Sequence, residues 1–106
     1  MKIQDLLQPG GRDVPAYGSA GLTAEALLRA EGVAVTVLRV AAGGRIGRHP
    51  AMGDQMLLVV AGRGRVRSGD DPWQPVGPGQ VVRWPDGEDH TTEADEDLVC
   101  FVVETG

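Results

Sequence analysis

Apolar residues along this chain come in short runs, and glycine or proline interrupts nearly every one of them. Residues 33–40 (VAVTVLRV) are rich in β-branched side chains. Their alternation puts Val33, Val35, Val37 and Arg39 on one face and Ala34, Thr36, Leu38 and Val40 on the other, the pattern of a strand. Residues 56–61 (MLLVVA) are continuously apolar, as expected of a strand covered on both sides, and Gly62 ends the run. Residues 64–68 alternate again, with Arg65 and Arg67 opposite Val66 and Ser68. Turn signals at 69–72, 77–79 and 85–87 then separate 73–76, 80–84 and a last apolar run at 98–104. Strands at intervals of about eight to twelve residues with Gly/Pro punctuation predict an antiparallel sandwich or barrel.

The first third of the chain is less regular. Residues 3–7 suit one helical turn, stopped by Pro9, Gly10 and Gly11, and residues 12–21 read as irregular. Residues 22–32 (LTAEALLRAEG) favour helix by propensity, with Gly32 as the stop, yet a strand forms there if the tertiary context demands it.

Composition narrows the setting. With 106 residues there is room for one domain and one core. Only four residues are aromatic, Tyr17, Trp73, Trp84 and Phe101, so that core must rely on Val, Leu and Ala. A net charge of −5 argues against nucleic acid or an anionic membrane as partner. Cys100 is the single cysteine, which excludes an intrachain disulfide and a cysteine-based zinc cluster and fits a reducing cytoplasm. The first residues lack the apolar core of a signal peptide, and no run reaches membrane-spanning length. A cytoplasmic protein is the expectation.

Two histidines carry the chemistry. Gly43, His49, Ala51, Gln55 and Gly62 are separated by five, one, three and six residues. Gly79, Pro85, Gly87, His90 and Ala94 are separated by five, one, two and three. Together these registers resemble the two motifs of the cupins, small β-barrels of the jelly-roll class. The motifs lie at 43–62 and 79–94, and residues 1–21 form an N-terminal arm. The resemblance implies an all-β fold, a single small cupin domain built as an antiparallel barrel, with residues 22–40 as a strand pair despite the helical propensity of 22–32.

In the cupin pattern the first motif supplies two histidines and a glutamate and the second a third histidine. Here Ala51 stands at the second histidine position and Gln55 at the glutamate position. His49, Gln55 and His90 remain as neutral candidate ligands for a divalent transition metal, whether zinc, iron, manganese, nickel or copper. Without a carboxylate the ion keeps its full charge and is held less firmly. Asp54, next to Gln55, is turned to the opposite face by strand parity. Around the site the resemblance places Trp84, Ala51 and Leu57 as pocket residues, and it implies a homodimer and a small organic ligand.

Three functions follow. The first is metal-dependent oxygenation, isomerisation or lyase chemistry on a small molecule, with the ion on His49, Gln55 and His90. The second is a metal-free isomerase, epimerase or cyclase using His49 and His90 as acid and base. The third is non-catalytic ligand binding. Other features read as structural. Arg63, Arg65 and Arg67 form a solvated stripe, Arg45 and Arg48 lie at the surface, Met52 and Met56 fill core or pocket, and Cys100 is buried with Leu98 and Val102. The acidic residues flanking His90, among them Glu88, Asp89 and Glu93, are expected to raise its pKa.

Overall fold

The computed structural model describes residues 1–106. It contains nine strands and one short 3-10 turn: β1 (Arg12–Asp13), the turn Ala16–Gly18, β2 (Ala20–Ala30), β3 (Val33–Pro50), β4 (Gln55–Ala61), β5 (Gly64–Ser68), β6 (Gln74–Val76), β7 (Val81–Trp84), β8 (Asp89–Ala94) and β9 (Leu98–Thr105). No residue of 3–7 is helical: the side chain of Asp5 accepts a bond from the Leu7 amide and closes a local turn instead. Residues 20–30, with the composition of a helix, are strand because β3 pairs with them along their length. β2 thus begins inside the segment expected as an arm, and β1 pairs with it at Arg12–Ala24 and Asp13–Thr23.

The strand expected at 33–40 runs on to Pro50 for a structural reason. Its first half lies between β2 and β9, and its second half pairs with β8. β3 therefore links two antiparallel layers, β1-β2-β3-β9-β4-β7 on one side and β3-β8-β5-β6 on the other. Curling of one long strand into both layers closes the jelly-roll barrel predicted from the sequence.

Alternation fills the interior. Leu22, Val40, Leu57, Val59, Leu98, Cys100 and Val102 from the first layer meet Ile46, Val66 and Ala94 from the second in one core. On the outer face of the first layer the expectation of full cover fails. Met56 and Leu58 are only half-buried, and Val60 and Val81 are 37% and 46% exposed. One end of that face is covered by the N-terminal segment, which the Arg39 guanidinium holds by donating to the carbonyls of Leu6 and Gly10 while pairing with Glu25 at 2.8 Å.

Elsewhere the surface arginines find partners. Arg65 bonds Glu93, and Arg65 and Arg67 flank Trp73 with their guanidinium carbons 4.5 and 4.4 Å from a ring centroid. Arg48 pairs with Asp70 and Asp89, and Arg45 donates to the carbonyl of Gly18. Met52, expected in core or pocket, is 67% exposed because it sits in the turn between β3 and β4.

Candidate functional site

His49 and His90 are register partners across β3 and β8, so they come from opposite motifs to one place. Uninterrupted alternation would not have done this. Ile46, which pairs with Thr92, faces inward, and His49 lies three positions further on. The register shift between Ile46 and His49 inserts one residue at Gly47–Arg48 and turns the imidazole into the barrel.

Each ring is oriented by a backbone carbonyl two residues before it. His49 Nδ1 is 2.7 Å from the Gly47 oxygen, and His90 Nδ1 is 3.0 Å from the Glu88 oxygen. A carbonyl only accepts, so both Nδ1 atoms carry the proton, and each Nε2 is left to accept a proton in the neutral ring or to give one up in the charged ring. The ring centroids are 4.4 Å apart, tilted by 57°. His90 is also stacked on Trp84 at 3.9 Å and 15°. Burial lowers the His90 pKa, against the bond to the Glu88 carbonyl, with the charge of His49 adding to the lowering. The carboxylates of Glu88 and Asp89 push upward, as the acidic flank suggested, but burial of the ring outweighs them.

Gln55, at the start of β4, is 6% exposed and lines the same cavity as the two histidines. Its side-chain amide makes no hydrogen bond within the protein. Its amide atoms open onto the cavity, where water or a ligand can pair with them. Leu57 and Trp84 line the cavity as well. Ala51 does not. It is 3% exposed and packed in the core, its amide bonded to the Glu88 carbonyl and its carbonyl to the Gly87 amide, and it borders a separate depression beside Met52 and Thr105. Asp54 faces away from the site, as parity predicts, and accepts from the Asp86 amide.

The cavity measures about 330 Å³ and exists because the inner face of β2 and β3 carries small residues there, Ala24, Ala26, Ala34 and Thr36. Several functional neighbours escape a reading by motif. Tyr17 stacks on His49 at 5.1 Å and 20°, and it is the one non-glycine residue with positive φ, 59°. Arg12, Arg29 and Glu104 also line the cavity. Nothing in the local sequence marks them, although parity alone would have put Glu104 on the face of Val102 and Cys100.

No group of three or more His, Cys, Asp or Glu side chains is arranged to hold a metal ion. The donor set on offer is two imidazole nitrogens and one amide, which suits a loosely held ion and no more.

No helix is long and apolar enough to cross a membrane. No curated protein matches the chain. Solved structures do. A cupin-like protein from Thermotoga maritima superposes with a TM-score of 0.84 at 22% identity, covering 96% of this chain and 81% of that one. A cupin 2 conserved barrel domain protein from Salinispora arenicola gives 0.75 at 24%, covering 97% and 87%. The DMSP lyase DddQ from Ruegeria pomeroyi gives 0.74 at 22%, covering 80% of this chain but 47% of the lyase. The cupin domain profile matches residues 36–104, which include both histidines and most of the barrel, and the chain therefore belongs to the cupin family.

Proposed function

We propose that this cupin binds a small organic molecule in the barrel and carries out proton transfer on it with His49 and His90, as an isomerase, epimerase or cyclase would. The observation that carries the reading is the pair of imidazoles tied back through Nδ1, which leaves two Nε2 atoms for the cavity that the Gln55 amide also lines. His90, kept neutral by burial, accepts a proton from the bound molecule at Nε2, and His49, its ring centroid 4.4 Å from that of His90, in its charged form returns one to the molecule from Nε2. Gln55 orients the ligand through its amide. Loss of either imidazole removes one transfer, a factor of about 10²–10⁴ in turnover.

A second reading is favoured by the same tie-back, because metal-bound histidines characteristically donate their other nitrogen to a carbonyl. In it a divalent transition metal is held by His49, Gln55 and His90 and supplies Lewis-acid chemistry to the bound molecule. Metal analysis of untagged protein, followed by titration with Zn²⁺ and Ni²⁺, separates the two. The acid–base reading expects no stoichiometric ion and only weak binding. An ion present one per chain and lost in His49→Ala and His90→Ala establishes the metal reading. A co-purifying organic molecule released unchanged would reduce the protein to a binding module. We place the protein in the cytoplasm, with the lone buried thiol in support, and propose a homodimer formed through the uncovered outer face of the first layer.

A further inference from the structure

Arg29 does not lie where alternation along β2 would put it. Leu22, Ala24 and Ala26 point inward, and Leu28 is next in that series. A bulge between Ala26 and Leu28 breaks it: Ala26 pairs with Thr36, but Leu28 pairs with Val35 and Arg29 with Ala34. Leu28 is thereby turned outward, 52% exposed, and Arg29 is turned to the inner face, where it lines the cavity. The bulge aims the Arg29 side chain at the cavity while leaving it open to water, and bulges recur where a side chain must be re-aimed at a site.

The register continues across the sheet. Ala34 pairs with Glu104 of β9, and Glu104 pairs with Gln55 of β4. One row of inner-face residues therefore reads Arg29, Ala34, Glu104, Gln55, and all four line the cavity. The guanidinium and the carboxylate stand on strands two spacings apart, about 10 Å between backbones. Only the Ala34 methyl lies between them in the row, and neither belongs to any ion pair of the protein. Arg12, lining the same cavity, adds positive charge and also lacks an ion-pair partner. A simple anion is drawn by Arg29 and repelled by Glu104, and a simple cation meets the reverse. A molecule bearing both charges satisfies both walls and gives the unpaired Gln55 amide a partner.

We propose that the cavity binds a small zwitterion, its carboxylate on Arg29 and its ammonium on Glu104 and the amide oxygen of Gln55. This rests on the barrel cavity being the ligand site. At about 330 Å³ the cavity lies at the small end of ligand pockets, which run from about 300 to 1,000 Å³, and accepts one compact molecule.

The test titrates ¹⁵N-labelled full chain at pH 7 with 5-aminopentanoate, pentanoate and pentylamine, following the amides of Arg29, Ala34, Gln55 and Glu104, the Trp84 indole and the two imidazoles. The zwitterion is expected to bind at least tenfold more tightly than either single-charge analogue. Arg29→Gln should reduce its affinity to that of the amine, and Glu104→Gln to that of the carboxylate. Arg29→Lys, which keeps the charge, should retain the preference. Pentanoate or pentylamine binding as tightly as the zwitterion, with shifts at His49, His90 and Trp84, overturns the zwitterion and leaves the cavity as a ligand site. No shift in the cavity with any of the three overturns both.

Discussion

At the scale of single residues, His90 shows how position outweighs sequence neighbours. Seven acidic residues lie between 86 and 97, yet the imidazole is driven toward neutrality because β8 buries it against Trp84. The consequence for stability has a definite sign. Above about pH 6.5 His90 is neutral in folded and unfolded chains and contributes no slope. As pH falls below that value the unfolded chain takes up a proton that the folded state resists, so stability declines until the lowered folded pKa is passed. Urea unfolding at pH 7.5 and 5.5 is expected to show a loss at the lower pH that is smaller in His90→Gln; an equal loss in both would remove His90 as the source. Cys100 gives a companion result. Burial pushes its thiol up to about 12, so native protein at pH 8 should resist iodoacetamide while denatured protein reacts. The pairing of the histidines was legible in the sequence because two motif spacings pointed to one barrel. The direction of the His90 shift was not, because it depends on how far β8 and Trp84 bury the ring.

At the scale of elements, period-two reading located most strands but could not see the two insertions that aim the site. Bulges at Gly47–Arg48 and at Leu27 leave composition untouched and reverse the face of everything after them. Arg29 was therefore unreadable as a cavity residue, and Tyr17 was hidden in a stretch without periodicity. The first bulge is locked by the 3-10 turn pressing on it. The Gly47 amide donates to the Ser19 hydroxyl at 2.9 Å, and a Cβ on Gly47 would stand 1.8 Å from the Tyr17 carbonyl oxygen. Gly47→Ala is accordingly expected to displace the turn, lift Tyr17 from His49 and cost about 1–3 kcal/mol in chemical denaturation. Tyr17→Gly separates the two effects. It removes the ring but relieves the positive φ, so it should change the His49 imidazole resonances with less loss of stability than Gly47→Ala. Unchanged His49 signals in both variants would show that the turn does not orient the ring.

At the scale of the whole molecule, the sequence announced an apolar outer face by making β4 and β9 hydrophobic on both sides, but not what covers it. The monomer covers only part. Val37 is fully buried between Glu25 and Phe101, whereas Leu58, Phe101 and Val103 stay half-buried and Val60 and Val81 open to solvent. These positions form contiguous rows, since Phe101 pairs with both Val37 and Leu58, Leu58 with Val81, and Val103 with both Val35 and Met56. A continuous apolar sheet face of this kind is unusual on a monomer and suits a self-complementary interface. Light scattering on size-fractionated protein should then give twice the chain mass at micromolar concentration. Val81→Glu, on the edge strand and outside the core, should leave the fold intact while raising the dimer dissociation constant at least tenfold, about 1.4 kcal/mol. A wild-type monomer at that concentration would sink the dimer. It would leave the cavity and its histidines unaffected, because the cavity lies inside the barrel and the histidines come from β8 and the second half of β3.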